Sequence, residues 1–251
     1  MTDDPTLWAQ RLEEAVVGLG ANGDRSHDLA HAKRVLRTAL ALADGVEDQG
    51  EGPVDRLVLT AAAYLHDIVA IEKNDPRRSL ASRLSAAKAR EILGGLDFPA
   101  GRQDGVAHAI EAHSFSAGIA PRSLEARILQ DADRMESLGA IGVARTFYVA
   151  GRLGSALFHD DDPLAFARPL DERAYALDHF FTKLLTLPAT MTTAPGRAMA
   201  GERAELLRAF AEALAQEVSG AAAPGPRPAR PSDGEAPSPL PVWPGSGTRT
   251  R

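Results

Sequence analysis

Residues 61–67 read AAAYLHD, an apolar run that ends in a His directly followed by an Asp. Upstream the run continues to about residue 54, and over 54–68 it is apolar on almost every side. A helix of that kind is buried all round, so the pattern predicts a central helix. It carries two metal-ligating side-chain types to the interior at its end. A carboxylate there needs a partner, because burying a lone charge is costly. A divalent cation is one such partner, and an arginine in a buried salt bridge is the structural alternative. Adjacent helical residues project about 100° apart. His66 and Asp67 therefore share an ion only if it lies against that flank.

The same 3.6-residue period runs outward in both directions. Residues 6–19 read as a short amphipathic helix closed by Gly18, Gly20 and Gly23. Residues 25–44 form the next, with Asp24 or Ser26 as N-cap and a stripe from Leu29 to Ala43. Downstream, helices are expected at 81–94, 102–113, 171–187 and 197–218. A long one is expected at 121–152, with Gly139, Gly142 and Gly151 as kink or close-packing points. Residues 47–53, 72–80 and 159–163 read as loops. No strand pattern is found, so the expected fold is one all-α helical-bundle domain over 1–218. Residues 219–251 hold eight of the chain's 17 prolines and few aliphatic side chains, which predicts a disordered tail.

Composition narrows the function. The chain has 251 residues, 44% hydrophobic, with a formal charge of −6 and no cysteine. The acidic balance argues against general nucleic-acid binding, which needs a basic face. Without cysteine there is no disulfide, thiolate-held zinc or thiol catalysis. A metal must be held by His and carboxylates, a donor set that suits Mn, Mg, Fe, Co, Ni or Zn alike. No signal pattern opens the chain and no run approaches the ~20 apolar residues of a membrane span. The expected location is the cytoplasm, and the composition leaves room for a homodimer.

Other polar residues bear on the His-Asp pair. His27 and His31 are four apart and share a helix face, so both could serve one ion, or one could support the other. In ILQDADRMES, Asp131 falls with Ile128, Met135 and Leu138, whereas Asp133 falls with Glu136 and Ser137. Two apart, they point to nearly opposite sides, and periodicity does not choose between them. His108 and His113 lie on one helix but about 140° apart. His113, at the helix end before SFSAG, is placed to act as acid, base or phosphate contact. Lys73, Arg77, Arg78 and Arg134 surround these segments and could offset a phosphate's charge, with a solvated basic loop as the plain alternative for Arg77.

In order, the chain reads SHDLAHAKRV, YLHDIV, HAIEAHSF and ILQDADRMESLGAIGVARTF. This series resembles the HD-domain metal-dependent phosphohydrolases, above all the small bacterial HD hydrolases, over roughly residues 20–215. The resemblance implies a helical bundle with one divalent ion, manganese foremost, held by His31, His66, Asp67 and an Asp of the DADR segment. It favours Asp133, which a basic residue follows, with Asp131 in reserve. Relatives often carry Leu-Asp where this chain has Met135-Glu136. It further implies that Asp67 doubles as ligand and proton acceptor or hands that task to His113. Lys73, Arg78, Arg134 and His108 would meet the phosphates, with Lys183 and Arg197 as weaker candidates. His27 and Asp131 would orient the ligands from behind. The expected substrate is a nucleoside triphosphate cleaved to monophosphate and pyrophosphate. The alternatives are a nucleoside 5′-monophosphatase and a non-catalytic nucleotide-binding module.

Overall fold

The computed structural model describes residues 3–19, 29–71, 75 and 77–220. Asp55 caps the central helix, its carboxylate accepting the amides of Leu57 and Val58 at 3.0 and 3.2 Å. That helix, α3 (Arg56–Leu65), buries every residue from Leu57 to Leu65. The surrounding elements are α1 (Pro5–Gly18), α2 (Leu29–Asp48), α5 (Ala100–His113) and α6 (Leu124–Met135), all packed on α3. Helix α4 (Ala81–Gly95) lies beside α5, and a single turn of 3-10 helix, Arg78–Leu80, leads into it. Among the described residues no strand forms; one isolated bridge joins Ala156 and Tyr175. Nor is any helix among them long and apolar enough to cross a membrane.

Three expectations change. Helix α3 stops at Leu65 rather than near 68, because the chain tightens there, Ile68 N–H bonding Leu65 O at 3.3 Å. His66 and Asp67 therefore occupy the turn after the helix. The long 121–152 helix is two, α6 and α7 (Gly139–Leu153), broken at residues 136–138. Gly139 takes φ +66°, open to glycine at little cost, and a Cβ on Gly142 would collide with the Ser137 carbonyl. The GAIG segment thus turns the chain sharply enough to keep Asp133 and Glu136 near α2. The first part of 171–187, residues 171–177, is irregular, and the rest holds only the short α8 (Asp178–Thr182) and a 3-10 run, Leu184–Thr190. The cause is local competition: buried Asp178 accepts both Arg168 guanidinium nitrogens, at 2.6 and 2.7 Å, and the Asp171 amide at 2.7 Å. The final helix is α9 (Ala194–Val218). The expected N-caps at 24 and 26 and the expected tail from 221 onward lie outside the described residues.

Two apolar clusters result. The larger surrounds α3. The smaller gathers Met135, Leu138, Phe180, Leu184 and Leu207, with Phe147, Phe180 and Phe210 meeting at ring-centroid distances of 5.7–6.2 Å. A cleft reaches the edge of the smaller cluster at Leu187, and such a concavity is the usual place for a ligand site.

Candidate metal centre

His66 sits at the end of α3 and His113 at the end of α5, where helices leave carbonyls without intrahelical partners. Each ring uses one of them: His66 Nδ1 donates to Ala63 O at 2.9 Å and His113 Nδ1 to Ile110 O at 2.7 Å. His31, buried on α2, donates from Nδ1 to Glu136 Oε2 at 3.3 Å. With Nδ1 engaged in all three rings, every Nε2 is turned inward. The two carboxylates meet them there. His31 Nε2 lies 3.2 Å from His66 Nε2, 3.5 Å from Asp133 Oδ1 and 4.0 Å from Asp67 Oδ2. His66 Nε2 lies 3.6 Å from Asp67 Oδ2 and 3.8 Å from Asp133 Oδ1. One donor atom from each of His31, His66, Asp67 and Asp133 falls within 4.8 Å of every other, so the group could hold a metal ion. Two nitrogens and two oxygens, fixed from behind and converging, fit a divalent ion of the first transition row.

Charge in the cluster is strongly coupled. Burial alone would depress the His31 pKa, but its contacts with Asp133 and Glu136 outweigh that and raise it to about 9. Burial likewise opposes protonation of His113, and Asp67 overcomes it, raising the pKa. Asp133, although partly buried, is held well below the usual carboxylate range by hydrogen bonds from His31 and His66. In the absence of a cation, His31 and His113 thus hold protons more tightly while Asp133 stays ionised, so a metal ion would compete with those protons.

Placement of the remaining candidates is mixed. His113 joins the cluster, its Nε2 3.5 Å from Asp67 Oδ1. Asp131 does not. It is fully buried on the opposite side of α6, where Oδ1 accepts the Thr192 amide and Oδ2 the Thr193 amide, both at 2.8 Å. Its role is to fasten α6 to the start of α9, not to orient ligands. His108 is also misplaced by the sequence reading: its Nε2 accepts the Arg122 amide at 3.0 Å and it lines no part of the cleft. Arg197 bonds Met191 O at 3.1 Å and Arg77 pairs with Asp75 at 2.8 Å, both outside the cleft. Arg78, Arg134 and Lys183 do line it. His27 and Lys73 lie outside the described residues.

Glu136 is the residue the sequence reading passed over. It is 1% exposed and takes His31 Nδ1 and, at 2.8 Å, Arg34. The signal was its i+3 spacing from Asp133, which puts the two on one face. The cleft itself encloses about 600 Å³. Asp67, Asp133 and His113 form one wall, and hydroxyls of Ser82, Ser114, Ser137 and Thr186 with apolar Ile71 and Leu187 form much of the rest.

A buried His and carboxylate cluster, on adjoining helices of an all-α bundle, agrees with what comparison finds. Residues 28–138 match the family model of the HD domain. The chain is 29% identical over 218 residues to YpgQ of Bacillus subtilis, covering 84% of this chain and 94% of YpgQ. It is structurally similar to an HD-superfamily hydrolase of Bacillus thuringiensis, with TM-score 0.63, 27% identity and coverage of 86% and 99% of the two chains. The crystal structure of YpgQ in complex with ADP gives TM-score 0.61 and 26% identity over 85% of this chain and 96% of that one. In sequence over residues 28–138 and in fold over most of its length, the chain is thus similar to HD-superfamily proteins.

Proposed function

We propose that the protein is a metal-dependent phosphohydrolase acting on a nucleotide, foremost a nucleoside triphosphate cleaved to monophosphate and pyrophosphate. The observation that carries it is the four-donor cluster in the wall of a cleft whose other walls bring Arg78, Arg134 and Lys183. Three cations beyond the metal suit a chain of phosphates better than a single one. That YpgQ, a relative, was crystallised with ADP supports a nucleotide. His31, His66, Asp67 and Asp133 would hold the ion, manganese in this reading. A divalent ion there supplies Lewis-acid polarisation of a phosphoryl oxygen and acidifies water.

The chain's own groups do the rest. Asp67 turns Oδ1 toward His113, so a proton taken from the attacking water at that oxygen can pass to His113 Nε2. His113, when protonated, then faces the phosphoryl charge. Arg134, held by Thr190 O at 2.6 Å, and Arg78, held by Ile71 O at 2.6 Å, present cations to the phosphate tail. Glu136 keeps His31 in the tautomer that offers Nε2.

The test is to incubate purified protein with Mn²⁺ and a panel of nucleoside mono- and triphosphates, assaying phosphate and pyrophosphate separately. Pyrophosphate from triphosphates, abolished in Asp67→Ala, is expected. Phosphate from monophosphates alone would make it a 5′-monophosphatase. Tight binding with no release would make it a nucleotide-binding module.

A further inference from the structure

A second cavity of about 640 Å³ adjoins the cleft, between α7 and the chain from Glu172 to Leu184. Ser137, Glu172 and Lys183 line both, so they form a dividing wall. Three cations face the second cavity: Arg145 on α7, Arg173 and Lys183. Among the described residues Arg145 and Arg173 are in no ion pair, and Lys183 makes no direct one, although its charge helps hold the Glu172 carboxyl down. The one carboxylate there, Glu172, is already occupied, its Oε2 accepting His179 Nδ1 and Thr182 Oγ1, both at 2.7 Å. Unpaired cations gathered in a concavity are unexpected in a chain of net charge −6. They are also positioned rather than scattered. Arg145 lies on the stripe Gly142, Thr146, Val149 of α7. The Arg173 backbone is pinned by Ser155 Oγ to Arg173 O at 2.8 Å and by two Ala156 bonds to Ala174 and Ala176, each 2.9 Å. An apolar floor of Ala150, Ala176 and Leu184 lowers the local dielectric and strengthens attraction for an anion.

We propose that this cavity is a second binding site for a phosphate-bearing anion, separate from the metal cluster and sharing Lys183 with the substrate cleft. It needs neither turnover nor the nucleotide reading to be correct.

Equilibrium dialysis of the metal-loaded full-length chain against radiolabelled pyrophosphate counts bound anions per chain. Two are expected for the unaltered protein, one for Arg145→Gln/Arg173→Gln, and two again for Arg145→Lys/Arg173→Lys. Neither arginine lines the catalytic cleft, so the first site remains as a control. A glutamine variant that binds as many pyrophosphates as the unaltered chain overturns the proposal, whatever the catalytic cleft itself binds. Displacement of the second pyrophosphate by a nucleoside triphosphate would identify a nucleotide's phosphate tail as the ligand, and failure to displace it the free anion; both support an anion site.

Discussion

Asp131 and Asp133 are two residues apart in DADR, and the structure gives them opposite duties that mutation can separate. Asp131→Ala removes a fully buried carboxylate that accepts four hydrogen bonds, two from amides at 2.8 Å and two from the hydroxyls of Thr192 and Thr193, at 3.1 and 2.7 Å. The hydroxyls are less affected, since Thr192 Oγ1 can still donate to Arg127 O and Thr193 Oγ1, which still accepts Gly196 N–H, can rotate its own hydrogen. The two amides have no other partner among the described residues. At roughly 1–3 kcal/mol for each orphaned group, the loss comes to about 2–6 kcal/mol. For a domain of this size that lowers Tm by roughly 5–20 °C. Asp133→Ala instead removes one of four converging donors from a side chain about a quarter exposed, 26%. It should cost metal affinity about 100-fold or more, exceeding the usual loss for an outer partner. Thermal unfolding by circular dichroism and Mn²⁺ titration by electron paramagnetic resonance read the two effects independently. Asp131→Ala should melt early yet bind Mn²⁺ at low temperature as the parent does. The reasoning fails if Asp131→Ala loses the metal while Asp133→Ala keeps it, or if Asp131→Ala leaves Tm unmoved.

Glu136→Gln keeps the volume but removes the charge behind His31, so Mn²⁺ affinity should drop about 10–100-fold with a modest change in Tm; unchanged affinity would mean that the contact is incidental. In the chelated protein His31 holds its proton up to about pH 9, whereas an unfolded His releases it near 6.5. Its contribution to stability is therefore complete below pH 6.5 and lost as pH rises through about 9, so the metal-free Tm should fall across that window. Mn²⁺ affinity should rise over the same range as the competing proton leaves, and a calorimetric titration showing no pH dependence would contradict it. Phe180→Ala empties the centre of the smaller apolar cluster, where Phe147 and Phe210 meet it, and should cost about 3–5 kcal/mol in chemical denaturation.

The amino-acid sequence by itself determined that this chain is helical, that 54–68 is its centre and that His31, His66, Asp67 and the DADR segment belong together. The first two readings rest on periodicity and composition, which act over a few residues and are visible in one dimension; the third rests on the resemblance of the motif series to the HD-domain phosphohydrolases. What it left open was decided by contacts between distant segments. The choice between Asp131 and Asp133 turned on where α9 begins, since Thr192 and Thr193 claim the first and the histidines of α2 and α3 meet the second. Glu136 could be recognised only once the break before Gly139 brought it against His31 and Arg34, more than 100 residues away in sequence. His108 carried the same chemistry as His113 on the same helix, but the loop at Arg122 took one and the cluster took the other. The turn-rich stretch before α9 defied its helical pattern because the Asp178 carboxylate, paired with Arg168 and accepting the Asp171 amide, outcompeted the helix ladder. Local propensity set the elements; burial and long-range hydrogen bonding decided which polar side chains would face one another.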